Sequence, residues 1–242
     1  MPKLIFVTSK GGERVMSSLG KEKKRRSLNF LNNHDLYWFN KEPQFRKSLL
    51  EKQNINFIDG FLVSLFLGLR YLRAVNRFRG PVFTKLFLSN PEYSGGKKHL
   101  FIGLEKEDLE RMSKKFPHLS RQNIWSYNPP FINGIEFSEG EIDKMVGLIR
   151  SKKIDYVWVG VGCPKQNILT SALFKRTGRA SFLNVGAALD FFLEKKKEQS
   201  GLIQAIGLEW VYRLATDFKH SRKKVWRSFI GLLSLSEAGL AR

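Results

Sequence analysis

The segment Val157 to Asn167, VWVGVGCPKQN, joins a β-branched run to two glycines, a proline and the beginning of a helical pattern. The glycines stand where the backbone must turn tightly, and the helix that follows leaves unpaired N–H groups at its N-terminus, which favour an anion. The pattern matches neither the Walker motif nor G-x-G-x-x-G, and such turns bind nothing about as often as they bind phosphate. The candidate phosphate-binding residues are Gly160, Gly162, Pro164, Lys165 and Gln166.

Two other apolar runs end in polar residues that are candidates for chemistry. In FIDG, Asp59 and Gly60 follow a predicted strand, where a carboxylate is well placed to act as a general base. Asp-Gly is also an ordinary turn dipeptide, so residue type alone favours neither interpretation. In LNVGAALDFF, Gly186 ends the next strand, and Asp190 is either catalytic or, more simply, a capping or ion-pairing residue. Cys163 is more simply a small side chain filling its turn than a nucleophile, because no His lies near it in sequence.

Metal-binding patterns are missing from the sequence. There is no Asp-x-Asp motif, and four scattered His with one Cys do not have zinc-site spacing. Enzymes that hold a nucleotide diphosphate through a divalent metal need adjacent carboxylates. We therefore expect no metal and no cofactor, with Arg, Lys and helix N-termini neutralising a bound diphosphate instead.

Short strands alternate with amphipathic helices between residues 28 and 200. Residues 138–150 are the clearest helix, with an S-x-x-E capping box at Ser138 and Glu141 before an i, i+3, i+4, i+7 apolar pattern. Alternation of this kind predicts an α/β fold: a mainly parallel, Rossmann-like sheet flanked by helices, with functional residues just after the strands. The predicted strands are Leu28–Leu31, Ile55–Ile58, His99–Gly103, Asn123–Tyr127, Asp155–Val161 and Ser181–Val185.

The two ends of the chain differ from this central region. Residues 1–27, rich in Gly, Ser and Lys, are predicted to be a flexible basic segment. Residues 201–242 have no strand pattern and are predicted to form a basic C-terminal helical appendage, so that the α/β domain covers residues 28–200. We expect the protein neither to cross a bilayer nor to be secreted, because no apolar run reaches 18 residues and no signal-peptide pattern occurs.

The charge balance indicates a polyanionic partner. Among 242 residues, 42 Lys and Arg stand against 22 Asp and Glu, a formal charge of +20. Nucleic acid, anionic lipid and phosphorylated substrates all fit this charge. A nucleic-acid-binding protein is the rival hypothesis, but it has no recognisable RNA or DNA module and its charge is spread along the chain.

Several motifs resemble, in order, those of the WecG/TagA/CpsF glycosyltransferases, glycosyltransferase family 26. VGVGCPKQN is similar to the family's Pro-Lys-Gln turn, NVGAALDFF to its Gly-Ala-Ala and Asp-Phe segment, and GLEWVYRL to its C-terminal signature. FLNNH, FIDG and NPPF occur earlier in the same order. The resemblance covers about residues 28 to 230.

This resemblance implies an inverting, metal-independent transfer from a UDP-sugar, typically of N-acetylmannosamine type, to a polyprenyl-diphosphate-linked sugar at the inner membrane face, in cell-surface polysaccharide synthesis. Asp59 matches the proposed general base, Asn32 or Asn33 a polar position beside the substrate, and Gln166 the turn glutamine. Glu209 and Arg213 are candidate substrate-binding residues, and the resemblance places Arg213 and the later arginines in an appendage that closes the site and touches the membrane. Further membrane or phosphate contacts are expected from Arg222, Lys223, Lys224 and Arg227. The oligomeric state is left open.

Three segments depart from the family pattern. Asn167 replaces a glutamate, GPVFTKL at Gly80 to Leu86 replaces a Gly-Pro-Asp segment, and EKKKEQSG at Glu194 to Gly201 replaces an Arg-Ala-Pro stretch. These departures motivate an alternative hypothesis, a catalytically inactive family member that acts as a binding scaffold.

Overall fold

The structure, a computed structural model, describes residues 4–19, 25–195, 230–231 and 238–240. The strands are β1 Leu4–Val7, β2 Ser27–Leu31, β3 Asn54–Ile58, β4 His99–Ile102, β5 Ile124–Tyr127, β6 Tyr156–Val159, β7 Ser181–Asn184 and β8 Ala238–Leu240. The helices are α1 Ser9–Leu19, α2 Asn33–Lys41, α3 Pro43–Leu50, α4 Phe61–Tyr71, α5 Gly80–Ser89, α6 Pro91–Ser94, α7 Lys106–Lys115, α8 Glu139–Lys152, α9 Lys165–Arg176 and α10 Ala188–Phe192. A 3₁₀ turn at Arg121–Asn123 precedes β5.

The described strands form one sheet in the order β5-β4-β6-β7-β2-β3-β1-β8, and every pairing between them is parallel. This confirms the α/β fold with a parallel, Rossmann-like sheet. All six predicted strands are present, with ends that differ by one or two residues. The strands read as nearly continuous apolar runs because helices cover both faces of the sheet.

The two faces of the sheet carry separate apolar clusters. On one face, α1, α5, α7 and α10 pack on an aromatic-rich cluster that includes Phe83, Phe87 and Trp158. On the other face, α8 and α9 cover one half of the sheet, and α2, α3 and α4 cover the half built from β1, β2 and β3. The connections leaving β2 and β7 therefore run to opposite faces. In open α/β sheets, the carboxyl ends of two such strands border the crevice where ligands bind.

The prediction of a flexible segment over residues 1–27 is wrong for residues 4–19, which form β1 and α1. β1 pairs with β3, and Met16 and Leu19 of α1 are buried. The glycine content suggested flexibility, but Gly12 is a packing requirement of α1. A Cβ atom at this position would lie 2.5 Å from the Phe78 ring. Tertiary contact thus overrides the low helix propensity of glycine.

The predicted capping box of α8 forms only in part. The Glu141 N–H donates to the Ser138 hydroxyl at 3.4 Å, as expected for an N-cap. The Glu141 carboxylate does not bond back in the described structure; it accepts instead from the Tyr127 hydroxyl and the Lys144 ammonium at 2.5 Å each. The hydroxyl of Tyr127, in β5, thus takes the place of the Ser138 backbone N–H, which would donate to this carboxylate in a complete capping box.

The predicted helical appendage over residues 201–242 lies outside the described residues, apart from Ile230–Gly231 and the edge strand β8. None of the described helices has both the length and the apolar character needed to cross a lipid bilayer.

Candidate active site

Polar and glycine residues follow four adjacent strands at the same edge of the sheet. Asn32 and Asn33 follow β2, Asp59 and Gly60 follow β3, and the turn at residues 160–166 follows β6, with Gly186 after β7. Parallel strands bring their carboxyl ends to one edge, so these residues surround the crevice between β7 and β2.

The Asp59 carboxylate lies at the N-terminus of α5. The Gly80 N–H, in the first residue of that helix, donates to Asp59 Oδ1 at 3.0 Å. The Asp59 backbone N–H donates to the carbonyl of Leu31, the last residue of β2, at 2.9 Å. A carboxylate in this position is stabilised by the positive end of the helix dipole and is held in one orientation.

Gly80 also packs against β2 and against the residue that follows β7. A Cβ atom on Gly80 would lie 3.5 Å from Phe30 of β2 and 3.6 Å from the carbonyl oxygen of Val185. Asp59 is half-buried and follows β3 at the same edge of the sheet as the 160–166 turn, which follows β6. Sequence reasoning missed Gly80 as a site residue, although a Gly-Pro pair at a helix start could have indicated it.

The two asparagines after β2 have different surroundings. The Asn32 side chain accepts from the His34 N–H at 2.9 Å, and Asp35 closes a capping box by accepting from the Asn32 N–H at 2.8 Å. Asn33 Oδ1 is buried and has no hydrogen-bond partner among the described residues. Gly60 faces both asparagines, because a Cβ atom there would lie 2.8 Å from Asn33 Oδ1 and 3.1 Å from the Asn32 Cα.

The C-terminal part of the chain returns to this region. Gly231 is buried, and a Cβ atom on it would lie 2.3 Å from the carbonyl oxygen of Asn33 and 2.7 Å from the backbone nitrogen of Tyr37. Only a glycine fits this closely against the first turn of α2.

The turn after β6 is built by glycines. Gly160 lies between neighbouring strand ends, since a Cβ atom on it would lie 3.2 Å from the Gly186 carbonyl oxygen and 3.4 Å from that of Ile102. Gly162 has φ of +82°, and a Cβ atom there would meet nothing within 4 Å. A cis peptide bond joins Cys163 to Pro164, and α9 begins at the next residue. The turn thus leaves open space in front of the α9 N-terminus.

Gln166, in the first turn of α9, is 7% exposed. Its Oε1 atom has no hydrogen-bond partner among the described residues, and a Cβ atom on Gly186, whose φ is +55°, would lie 3.6 Å from it. The other buried side-chain atoms in this condition within the described residues are Asn33 Oδ1 and Asn167 Oδ1. Each such atom costs about 1–3 kcal/mol unless a water molecule or a ligand supplies the missing hydrogen bond.

A buried amide network supports the crevice from beneath. Asn29 of β2 donates to Asn56 Oδ1 at 2.8 Å, and its own Oδ1 accepts from Asn167 at 2.8 Å and from Asn184 at 2.7 Å. The Thr170 hydroxyl donates to Asn184 Oδ1 at 2.6 Å. Asn167, which departs from the family pattern, is therefore a bonded part of this network. Sequence reasoning missed the network, whose signal was asparagine inside otherwise apolar strands.

The remaining predicted residues are placed as follows. The Lys165 ammonium bonds to the Ile132 carbonyl and lies 4.9 Å from the centre of the Phe131 ring, so it faces the 128–134 loop. Asp190 lies in the short helix α10 after Gly186, and its role stays a prediction. Cys163 packs at the margin of the α2–α4 cluster, as a filling side chain does. The predicted residues outside the described ranges are Glu209, Arg213, Arg222, Lys223, Lys224 and Arg227.

Among the described residues, no group of three or more His, Cys, Asp or Glu side chains is arranged to hold a metal ion. Pro164 is the N-cap residue of α9, and as a proline it has no backbone N–H to donate.

Comparison with known proteins adds an independent finding. A family model described as the glycosyl transferase WecG/TagA/CpsF family matches residues 8–238. A Staphylococcus aureus (strain NCTC 8325 / PS 47) protein named N-acetylglucosaminyldiphosphoundecaprenol N-acetyl-beta-D-mannosaminyltransferase is 30% identical over 126 residues, 50% of this chain and 46% of that protein. The protein of the same name from strain MRSA252 is 25% identical over 108 residues, 45% of this chain and 39% of that protein. The matched region thus spans less than half the length of these relatives.

Proposed function

The chain belongs to the glycosyl transferase WecG/TagA/CpsF family, and from that membership and the crevice we propose an inverting, metal-independent glycosyltransferase. Its donor is a UDP-sugar carrying N-acetylmannosamine or a related hexose, and its acceptor is a sugar linked to a polyprenyl diphosphate. The names of the Staphylococcus aureus relatives support a mannosaminyl donor group and a diphosphoundecaprenol acceptor. We propose that the protein acts on the inner face of the cell membrane as a peripheral protein.

The observation that carries this proposal is the position of the Asp59 carboxylate. It is fixed by the Gly80 N–H at the crevice edge, and the orphan oxygens of Asn33 and Gln166 lie on other strand-end segments around the same crevice. A fixed base on one side and polar atoms without partners around it are what a two-substrate transfer site requires.

The proposed reaction is a single displacement. The acceptor hydroxyl oxygen attacks the anomeric carbon, the bond from that carbon to the β-phosphate oxygen breaks, and UDP leaves with the bonding electrons. The acceptor's proton passes to the Asp59 carboxylate, which acts as the general base. Because attack and departure occur on opposite faces, the anomeric configuration inverts.

The diphosphate would lie at the turn between β6 and α9. The positive end of the α9 dipole lies there, with the Gln166 N–H bonded to the Gly162 carbonyl at 3.0 Å, and the open space at Gly162 admits a phosphate close to the backbone. Charge that develops on the leaving diphosphate is met by these dipoles, which need no reorganisation. The basic residues predicted in the C-terminal appendage would supply the remaining positive charge.

The surroundings of two of the departures from the family pattern support an active protein over an inactive scaffold. Asn167 is bonded within the amide network, and the segment beginning at Gly80 supplies the N–H that holds Asp59. The first difference is therefore accommodated by the buried network, and the second holds the candidate base in position.

The test is turnover of UDP-N-acetylmannosamine with a short-chain polyprenyl-diphosphate N-acetylglucosamine acceptor, with and without EDTA. We expect product of inverted configuration at equal rates in both conditions. Transfer that needs a divalent metal, or a product of retained configuration, would contradict the proposed mechanism. Calorimetry with UDP and with single-stranded RNA at two salt concentrations tests the rival nucleic-acid hypothesis, which requires tighter, strongly salt-dependent RNA binding.

A further inference from the structure

Helix α4 presents a row of exposed apolar side chains beside the crevice. Its inward residues Val63 and Leu67 are fully buried. On the outward side Leu65, Leu69 and Leu72, at i, i+4 and i+7 spacing, are 48%, 67% and 93% exposed. Phe66 and Tyr71 are exposed as well. We call Leu65, Phe66, Leu69 and Leu72 the α4 surface. Single exposed apolar residues are ordinary, but a contiguous set on one helix marks an interaction site.

Leu72 is held in a conformation that aliphatic side chains avoid. It ends α4 with φ of +50° and ψ of +41°, in the left-handed region, where glycine or asparagine is the usual residue. A leucine that is strained and almost fully exposed contributes nothing evident to folding. Its presence is explained if the side chain inserts into an apolar phase that is absent from the isolated protein.

The sequence that contains α4 is basic. No Asp or Glu occurs from Gly60 to Pro91. Arg73 is exposed and, with Leu65 and Leu69, lines an open groove of about 290 Å³ along the helix. The cationic residues of this stretch are Arg70, Arg73, Arg77, Arg79 and Lys85.

We infer that the α4 surface docks the protein on an anionic lipid bilayer, as a contact additional to the basic C-terminal segment. Leucine and aromatic side chains flanked by arginine are suited to the boundary between lipid headgroups and acyl chains. Each arginine near an anionic leaflet adds affinity through the negative surface potential. Exposed leucines beside the exposed Arg73 fit anionic phospholipid better than a second copy of this chain, because two copies with a formal charge of +20 each would repel.

The position of the α4 surface connects it to the proposed function, on which its biological purpose rests. α4 begins two residues after Asp59, and the Arg77 guanidinium lies 5.5 Å from the centre of the Phe61 ring in the first turn of the helix. A protein docked through α4 would hold the candidate base close to the bilayer, where the diphosphate of a polyprenyl-linked acceptor emerges.

The test is co-sedimentation of the full chain with vesicles of phosphatidylglycerol and phosphatidylcholine, compared with phosphatidylcholine alone, without sugar nucleotide or acceptor. The variant Leu69→Gln/Leu72→Asn removes the two most exposed side chains and places an αL-tolerant residue at position 72. We expect at least a tenfold lower partition coefficient on anionic vesicles and an unchanged or higher melting temperature. Arg73→Gln should lower the coefficient about fivefold.

Two controls sit elsewhere on the surface. Ile5→Thr removes an exposed aliphatic group from β1, and Lys114→Gln removes an exposed cation from α7; both should bind vesicles as the unchanged protein does. Asp59→Asn should also bind normally, so loss of turnover and loss of docking are separable. Equal vesicle binding by the α4 variants would overturn the inference, and so would a dimer that the α4 variant dissociates without any change in vesicle binding.

Discussion

Replacing Gln166 with methionine should stabilise the ligand-free protein and weaken its binding of UDP. Gln166 is buried, and its Oε1 atom has no hydrogen-bond partner among the described residues. Methionine has similar length and no polar oxygen, so the variant keeps the packing and removes the desolvated atom. Stability and ligand binding are expected to change in opposite directions, which a general packing defect would not produce.

The magnitude follows from the cost of an unsatisfied buried oxygen. Removing it returns about 1–3 kcal/mol to the free energy of unfolding. For a chain of about this length, each kcal/mol raises the melting temperature by about 2–4 °C. If UDP supplies the missing hydrogen bond, the variant loses about 1 kcal/mol of binding free energy, which corresponds to about fivefold weaker affinity.

Thermal unfolding with and without a UDP titration measures both quantities in one experiment. Gln44→Met, at an exposed position in α3, is the matched control and should change neither the melting temperature nor the UDP affinity. A Gln166→Met protein that melts lower than the unchanged protein would show that Oε1 is already satisfied. Unchanged UDP affinity would show that the donor nucleotide does not use this atom.

Three other perturbations test the site and its support. Gly60→Ala would place a Cβ atom 3.1 Å from the Asn32 backbone, so we expect kcat to fall about 10- to 100-fold; Gly147→Ala, which meets open space in α8, is the control and should leave kcat unchanged. Asn184→Leu removes the acceptor of the Thr170 hydroxyl and a donor to Asn29, and urea titration should show a loss of about 1–3 kcal/mol; no loss would refute a structural role for the amide network. Burial lowers the pKa of His99 to about 4, so the folded state prefers the neutral ring. Below about pH 6.5 the unfolded chain takes up a proton that the folded chain does not. The free energy of unfolding therefore falls by up to about 3 kcal/mol as the pH drops from 6.5 towards 4. His99→Gln should flatten that part of the pH–stability curve, and an unchanged curve would contradict the assignment.

The alternation of short apolar runs and helical periods was enough to predict the parallel sheet, because strands covered on both faces are apolar throughout. β1 was missed because Leu4–Val7 is short and is followed by a Gly- and Lys-rich segment, whose helix depends on contacts such as Gly12 against Phe78. Contacts between residues far apart in the chain cannot be predicted from the sequence pattern around either residue.

The site was predictable where a residue's role depends on its position after a strand, as for Asp59 and Gly60. Gly80 and the amide network were not, because their partners lie 21 residues away in one case and up to 155 residues away in the other. The motif predicts a phosphate contact for Lys165, whose ammonium bonds to the Ile132 carbonyl in the folded chain, so the phosphate contact stays a prediction.

The most direct measurement compares Asp59→Asn with the unchanged protein in two assays, sugar transfer and UDP-induced thermal stabilisation. A positioned general base contributes about 10² to 10⁴ in rate, so turnover should fall by that factor while the UDP-induced shift is retained. Asp143→Asn, an exposed carboxylate on α8, should behave as the unchanged protein in both assays. Turnover by Asp59→Asn within a few-fold of normal would contradict the account.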